Sequence, residues 1–470
     1  MSLRYCSIWS LLLVVLACAV VSVAQSQKAE ADSAYQAAIA QYNSGKFAEA
    51  AHGLETLLRK APESFELHEL LGLAYAAQHQ DAKANEHLEK AVRLKPDSTA
   101  ARTNLGASLL RVGKPELAEA QFKKAADLEP QNFDAVHNLG EFYVRSGKLT
   151  QATPLLEQAQ HIDPSHYDNG YDLSLAYLLT GRTADARALV RDLLKRKDTA
   201  ELHNLLGEIE EKDGNFIAAA NELEAAAHKD PSESNLFDWG SELLLHRTLA
   251  PAIEVFRQAT GRYPNSARLM IGFGIALYSQ GNYDDAVKAL LKGADLNPRD
   301  PRCYLFLSKA YDSSPSQADD VIQRFRRFTE LEPQHAQGFY YYAMSLWKGH
   351  RAQDPTLDLH QIESLLKTSL ALDSALADAH LQLGNLYSDQ GKYAESIPEY
   401  LRARELNAGL ADVYYRLGQA YVRTGAKERA QEQFDVYQRL RAQHLADLDK
   451  QRADIRQFVY AEKDASTSKP

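Results

Sequence analysis

Prolines recur along this 470-residue chain at an interval of about 34 residues. Successive spacings are 34, 34, 34, 67, 33, 34 and 35 residues, and the value of 67 spans two intervals. Glycines and alanines repeat in the same register. The prolines are Pro62, Pro96, Pro130, Pro164, Pro231, Pro264, Pro298 and Pro333. Such a period predicts an array of similar units, each packed on its neighbours, instead of one globular core.

One unit, Thr99–Pro130, illustrates the pattern within each repeat. Leu105 and Leu109 follow helical spacing, and "GKPE" then interrupts the run. Gly113 is typical of a helix C-terminus and Pro115 of the first turn of the next helix. A second periodic run, "LAEAQFKKAADLEP", completes the unit. Each unit therefore reads as a helical hairpin whose apolar face is buried only when neighbours stack on it.

Short motifs inside the units carry a resemblance to tetratricopeptide repeat (TPR) proteins. They are "LGLAY" at 71–75, "LGEFY" at 139–143, "LSLAY" at 173–177, "LSKAY" at 307–311, "LGNLY" at 383–387 and "LGQAY" at 417–421. The resemblance spans about residues 31–440 and implies an all-α, right-handed α-α superhelix of about twelve hairpins. It also implies that ligands would be held in a concave groove formed by the first helices. Units are predicted to start near residues 31, 65, 99, 133, 167, 200, 233, 267, 301, 336, 377 and 411.

Two units depart from the pattern, and the array is followed by a different segment. The ninth unit replaces its turn with a longer polar stretch, Asp312–Asp320, and the tenth carries extra residues within 348–361, which we expect to lengthen a surface loop. Residues 441–462 predict one further amphipathic helix that caps the last apolar face. Residues 463–470 are expected to be a disordered tail.

The first 24 residues have the layout of a secretory signal peptide, with a basic residue, an apolar run and small residues near Ala24. A short linker, 25–30, precedes the array. Two alternatives stay open, an uncleaved membrane anchor and lipidation at Cys18. We therefore expect an exported protein, periplasmic or secreted. Cleavage leaves Cys303 as the single cysteine, so no internal disulfide is predicted.

The charge and motif content narrow the range of functions. A net charge of −10 and the lack of a basic stripe argue against nucleic-acid binding. "HELLG" at 68–72 begins like a zinc-protease motif, but glycine stands where the second histidine ligand is required. Since repeats account for nearly the whole chain, we expect no enzyme, metal site or cofactor.

An aromatic run, "FYYY" at 339–342, raises the question of whether it packs or binds. Tyr340, Met344 and Trp347 are spaced by four and three residues, which places them on one stripe of a helix. By resemblance to the TPR family that stripe faces the groove. Aromatic and Met side chains offer a large contact area for a partner, whereas the rest of the run is expected to be core.

Two further stripes carry charge. The sixth unit has an acidic stripe, which predicts either a solvated helix face or recognition of a basic segment. On the equivalent stripe of the ninth unit two residues have the opposite sign, so the groove is expected to change sign along its length and to orient an extended partner. The residues are Glu201, Asn204, Glu208 and Glu211 in the sixth unit, and Arg302 and Lys309 in the ninth.

Asn104 and Asn138 occupy matching slots in consecutive units. This is similar to the asparagine ladder of O-linked N-acetylglucosamine transferases, where side-chain amides grip a peptide backbone. The next unit has Asp172 in that slot, where the ladder stops.

These features together predict a non-catalytic scaffold or adaptor that binds protein or peptide segments in its groove. The rival hypotheses are an accessory subunit that presents substrate to a separate envelope enzyme, such as a glycosyltransferase or protease, and a glycan-binding surface.

Overall fold

A computed structural model describes residues 29–349 and 358–443, and within these ranges all regular secondary structure is α-helical. The predicted signal peptide, the residues of the tenth-unit insertion at 350–357 and most of the predicted capping helix and tail lie outside the described residues. Residues 441–443, the first of the predicted cap, are helical and continue a helix that begins at 427.

The chain divides into two compact units, with the boundary between Lys229 and Asp230. The first unit holds twelve of the helices found in the described ranges. They are α1 (29–43), α2 (Phe47–Leu58), α3 (Phe65–Ala77), α4 (Asp81–Leu94), α5 (Thr99–Arg111), α6 (Pro115–Leu128), α7 (Phe133–Arg145), α8 (Leu149–Ile162), α9 (Tyr167–Leu179), α10 (Thr183–Arg196), α11 (Ala200–Lys212) and α12 (Phe216–Lys229).

The second unit holds the other twelve helices of those ranges. They are α13 (Glu233–Leu245), α14 (Leu249–Arg262), α15 (Ala267–Gln280), α16 (Tyr283–Leu296), α17 (Pro301–Ser313), α18 (Ala318–Leu331), α19 (Ala336–Gly349), α20 (Leu359–Leu372), α21 (Ala377–Asp389), α22 (Tyr393–Leu406), α23 (Ala411–Arg423) and α24 (427–443).

Odd- and even-numbered helices alternate as the first and second helices of hairpins. The odd-numbered helices begin at, or within two residues of, the unit starts placed by the 34-residue register. In each compact unit, a helix packs on the next in sequence, and neighbouring odd-numbered helices such as α5, α7 and α9 also touch. The predicted all-α solenoid architecture is therefore confirmed, and within each compact unit the first helices of successive repeats contact one another.

The turn inside each hairpin explains the glycine series. Gly113 has a φ of +71°, a left-handed conformation that glycine adopts without a Cβ penalty, and Pro115 lies in the first turn of α6, as predicted. Two hairpins place another residue at this left-handed position, namely His79 and Arg247, and the longer turn of the ninth repeat has Gln317 in the left-handed region directly before α18. Because an L side chain is disfavoured there, these three turns are strained relative to the others.

A second glycine series lies where the two helices of a hairpin cross. A Cβ atom built on Gly106 would come within 2.7 Å of the Phe122 ring, and one on Gly140 within 2.7 Å of Leu156. The alanine series lies in the interior, since Ala84, for example, has no exposed surface. The residues that define the repeat are therefore the ones that let helices approach closely.

Candidate functional site

The aromatic run on α19 is mostly a packing element. Tyr341 and Tyr342 are buried in the main apolar cluster of the second unit. Tyr340 and Trp347 are half-buried and pack against that cluster, while Met344 is also half-buried. Burial, with Asp378 and Asp312 nearby, raises the pKa of the Tyr340 hydroxyl, so the phenol stays neutral. Contact of Tyr340, Met344 and Trp347 with a ligand stays a prediction.

Of the two basic residues predicted on α17, one is already engaged in internal contacts. The Arg302 guanidinium binds both carboxylate oxygens of Asp300, at 2.9 and 2.7 Å. The ammonium group of Lys309 is exposed and lies 5.5 Å from the centroid of the Phe306 ring. Of the two basic residues, Lys309 therefore offers the cation that another molecule could reach without competing with a carboxylate.

The two predicted ladder asparagines, Asn104 on α5 and Asn138 on α7, are half-buried in matching positions. The Asn138 amide donates to the backbone oxygen of Asp134 at 2.5 Å, one turn earlier in its own helix. A ligand backbone would have to replace that bond.

The acidic stripe on α11 contains residues of two kinds. Glu201 and Glu208 are exposed, whereas Asn204 and Glu211 are half-buried. Glu201 lines a groove of about 500 Å³ in the first compact unit. The groove was not predicted as a whole, and it brings together side chains of three first helices.

Side chains from α7, α9 and the start of α11 form this groove, which we call the acidic-aromatic groove. Its lining comprises His137, Glu141, Arg145, Tyr167, Asp168, Tyr171, Asp172, Lys197 and Glu201. On α7 the contributing residues are spaced by four, and on α9 two overlapping pairs have the same spacing. Because residues four apart lie on one helix face, each helix turns one stripe toward the groove.

Hydrogen bonds fix the base of the acidic-aromatic groove. Nδ1 of His137 lies 3.1 Å from Oδ1 of Asn169, which is fully buried. The Asn169 amide donates to the Leu156 carbonyl oxygen, so its oxygen accepts from His137. Tyr167 is held by a hydrogen bond of 3.0 Å between its hydroxyl and that of Thr199. The aromatic surfaces are thus preorganised.

Carboxylates outnumber cations in the groove. Arg145 pairs with Glu141 at 2.6 Å, and Lys197 lies 4.4 Å from the centroid of the Tyr167 ring. Asp168 and Asp172 have no ion-pair partner among the residues that the structure describes. The groove therefore has a negative potential that is only partly neutralised.

The pKa of the Asp172 carboxyl group reflects this negative potential. Burial, together with the negative charges of Glu141 and Asp168, raises its pKa from 3.8 to about 6, despite the opposing effect of Arg145. Burial and nearby carboxylates, including Glu208, also raise the pKa of Tyr171. Chemically, such a groove can attract a cation and offer it an aromatic face.

Only two of the residues that line this groove were singled out from the sequence. Glu201 was predicted from its stripe, and Asp172 appeared only as the residue that ends the asparagine ladder. Tyr167, Tyr171 and Lys197 were missed. A usable signal was the pair of four-residue spacings in "YDNGYD", which puts two tyrosines and two aspartates on adjacent stripes of α9.

Comparison with known families gives matches along most of the described chain. Profiles described as tetratricopeptide repeat match residues 29–99 and 103–167, residues 143–209 and 243–310, and residues 411–444. A TPR repeat profile matches residues 384–425. Together these profiles span more than half of the chain.

Similarity to individual proteins is lower than the family matches alone would suggest, at 17–23% identity. The mouse protein O-mannosyl-transferase TMTC3 is 23% identical over 196 residues, which are 40% of this chain and 20% of that protein. The chain thus matches a fifth of the length of this curated relative. Among solved structures, a tetratricopeptide repeat protein from Parabacteroides merdae is 17% identical, covers 52% of this chain and 98% of its own, and has a TM-score of 0.41. PilW, a type IV pilus biogenesis factor, is 23% identical, with 43% and 94% covered and a TM-score of 0.39.

Proposed function

Since this chain belongs to the tetratricopeptide repeat family, we propose that it is a non-catalytic scaffold that binds protein or peptide segments on the layer of its first helices. The observation that carries the proposal is the acidic-aromatic groove. There, three first helices present exposed or half-buried carboxylates and two tyrosine rings beside each other. Although both rings also pack against the apolar interior, they line the open groove together with the carboxylates, where a partner could reach them.

The proposal contains no catalytic step, because helical hairpins fill residues 29–349 and 358–443. The interior of each compact unit is apolar side chains in contact, without room for a separate catalytic domain in those ranges. Function must then come from the surface.

We further propose that the scaffold acts after export, in the periplasm or outside the cell. The basis is the signal-peptide layout of residues 1–24. Attachment to a membrane would occur only through this segment, if it were retained or lipidated. Among the described residues, no helix combines the length and the apolar character needed to cross a bilayer.

The similarity to a mannosyl-transferase favours a second candidate function. In this alternative the chain presents substrate to a separate glycosyltransferase, since part of it resembles a fifth of such an enzyme. Proximity labelling from the chain in its own cell separates the two functions. One dominant catalytic neighbour supports the accessory role, and several non-catalytic neighbours support the scaffold.

Peptide phage display on the purified full chain tests the scaffold proposal. Selected peptides should bind the native chain and lose binding to Tyr171→Ala, which removes an aromatic face of the groove. The matched control is Leu117→Ala, which removes an exposed side chain from α6, outside the first-helix layer. Circular dichroism checks that both variants stay folded. If no selected peptide distinguishes the two variants, the proposed function fails.

A further inference from the structure

The excess of carboxylates in the acidic-aromatic groove indicates the charge of a partner that would fit it. Carboxylates reach it from three elements, Glu141 from α7, Asp168 and Asp172 from α9, and Glu201 from α11. Arg145 and Lys197 are the basic residues in the same lining, and Arg145 is committed to Glu141. An incoming positive charge therefore meets an excess of negative charge at short range.

The groove already binds one ammonium group of its own. Nζ of Lys197 lies over the Tyr167 ring at 4.4 Å from its centroid, within the distance at which a cation and an aromatic face attract each other. Tyr171, one helical turn later on α9, lines the same groove. It is half-buried, and the carboxylates nearby include Glu208 and Asp172. Among the described residues no lysine or arginine lies over the Tyr171 ring, in contrast to Lys197 over Tyr167.

We propose that the acidic-aromatic groove is a subsite for a lysine or arginine side chain of a bound peptide segment, with Tyr171 as its aromatic face and Asp172 and Glu201 as its counter-charges. This inference rests on the proposed peptide-binding function and specifies the chemistry of the partner. An extended segment with basic residues satisfies both the aromatic and the acidic parts of the lining.

The protonation of Asp172 gives the subsite a pH dependence. Glu141 and Arg145 face this carboxyl from α7, Asp168 from its own helix, and His137 and Glu201 complete the lining. Because its pKa is raised to about 6, the carboxylate is charged at pH 7.5 and loses its charge as the pH falls through 6. A bound cation stabilises the charged form, so binding is stronger at pH 7.5 than at pH 5.

The test uses three fluorescein-labelled decapeptides, alternating Ala-Lys, Ala-Gln and Ala-Glu, and measures anisotropy with the full chain. We expect the Ala-Lys peptide to bind most tightly at pH 7.5 and more weakly at pH 5. The double variant Asp172→Asn, Glu201→Gln should weaken its binding by on the order of 5–20-fold, since two counter-charges of the subsite are lost.

The matched control is Glu116→Gln, Asp127→Asn on α6, which removes the same formal charge from exposed positions outside the groove. We expect it to change binding less than about twofold, the scale of weak surface electrostatics. Equal weakening by both double variants would overturn the subsite, because attraction would then come from the net charge of the chain. Equal binding of the Ala-Lys and Ala-Gln peptides would overturn it as well.

Two further outcomes separate this inference from the proposed function. If phage-selected peptides depend on Tyr171 yet carry no excess of basic residues, the scaffold function stands and the cation subsite is wrong. If calcium chloride titrated by calorimetry binds the wild type and not the Asp172→Asn, Glu201→Gln variant, while the Ala-Lys peptide binds both equally, the groove is a metal site and the inference is also wrong.

Discussion

Replacement of Asp172 tests most directly whether the charges of the acidic-aromatic groove lower the stability of the chain. The Asp172 carboxyl group has a pKa raised from 3.8 to about 6, because it is half-buried and lies near Glu141 and Asp168. A group whose charged form is disfavoured in the folded state lowers stability wherever it is ionised. Asp172→Asn keeps the shape of the side chain and removes the charge, so we expect it to stabilise the chain at neutral pH.

The magnitude follows from the pKa. Each pKa unit corresponds to about 1.4 kcal/mol, so the two-unit rise gives an upper value of about 3 kcal/mol. Water in the open groove screens the charges and Arg145 offsets part of the repulsion, which reduces the expected gain to about 1–2 kcal/mol. For a unit of this size such a gain raises the melting temperature by about 2–8 °C.

The sign of the pH dependence is fixed by the direction of the pKa change. Below pH 3.8 the carboxyl is protonated in both the folded and unfolded states, so the substitution gains nothing there. Between 3.8 and about 6 the folded state binds more protons, and the wild type loses stability as the pH rises. Above about 6 the full difference between variant and wild type is present.

Urea and thermal unfolding followed by circular dichroism at pH 3.5, 5 and 7.5 measure this difference. Midpoints are compared directly, since helical arrays do not always unfold in two states. Asp127→Asn, on the exposed face of α6, is the control and should change stability by less than about 0.5 kcal/mol. A lower midpoint for Asp172→Asn at pH 7.5, or an equal gain at pH 3.5 and 7.5, would refute the electrostatic account of the groove.

Three predictions concern the fold. Gly106→Leu should destabilise the chain by about 2–4 kcal/mol, because even a Cβ there comes within 2.7 Å of the Phe122 ring. The control Gly53→Leu has no atom within 4 Å of the corresponding Cβ and should not lower the urea midpoint, so similar losses at both sites would contradict the close-approach argument. Arg247→Gly should raise the urea midpoint, equivalent to about 0.5–1 kcal/mol, because φ is +57° there, and a lower midpoint would show that the turn is not strained. Finally, in a Cys6→Ala, Cys18→Ala background, Cys303 should react with Ellman's reagent only after unfolding, because burial raises the pKa of its thiol and Sγ donates a hydrogen bond to the Leu290 carbonyl oxygen. Fast labelling of the folded chain would contradict this prediction.

The fold could be predicted from sequence because its defining contacts are local and repeated. A hairpin closes over residues about sixteen apart, such as Gly106 and Phe122, and the same geometric demand returns every 34 residues. Left-handed turn positions add glycine for a second, equally local reason. A pattern that recurs throughout the chain is therefore visible without any knowledge of tertiary structure.

The groove was harder to predict because it depends on departures from the repeat. Lys197 lies before α11 and reaches the Tyr167 ring on the preceding first helix, a contact that no periodicity encodes. The raised pKa of Asp172 likewise depends on charges of the neighbouring helix α7. Sequence alone located the charged stripe of α11 and could not say which stripe of α9 it meets.

Hydrogen bonding separates the tyrosines that link successive helices from Tyr171. Tyr177, near the end of α9, donates to Glu157 at 2.8 Å, and Tyr143 and Tyr387 make equivalent bonds to Glu119 and Glu363 on the preceding second helix. Burial of these phenols is therefore compensated. Tyr171, on the same helix as Tyr177, lies among carboxylates without such a bond to the described residues. The charge of Asp172 is likewise disfavoured in the folded chain, and these two observations are why we propose both residues as contacts for a partner.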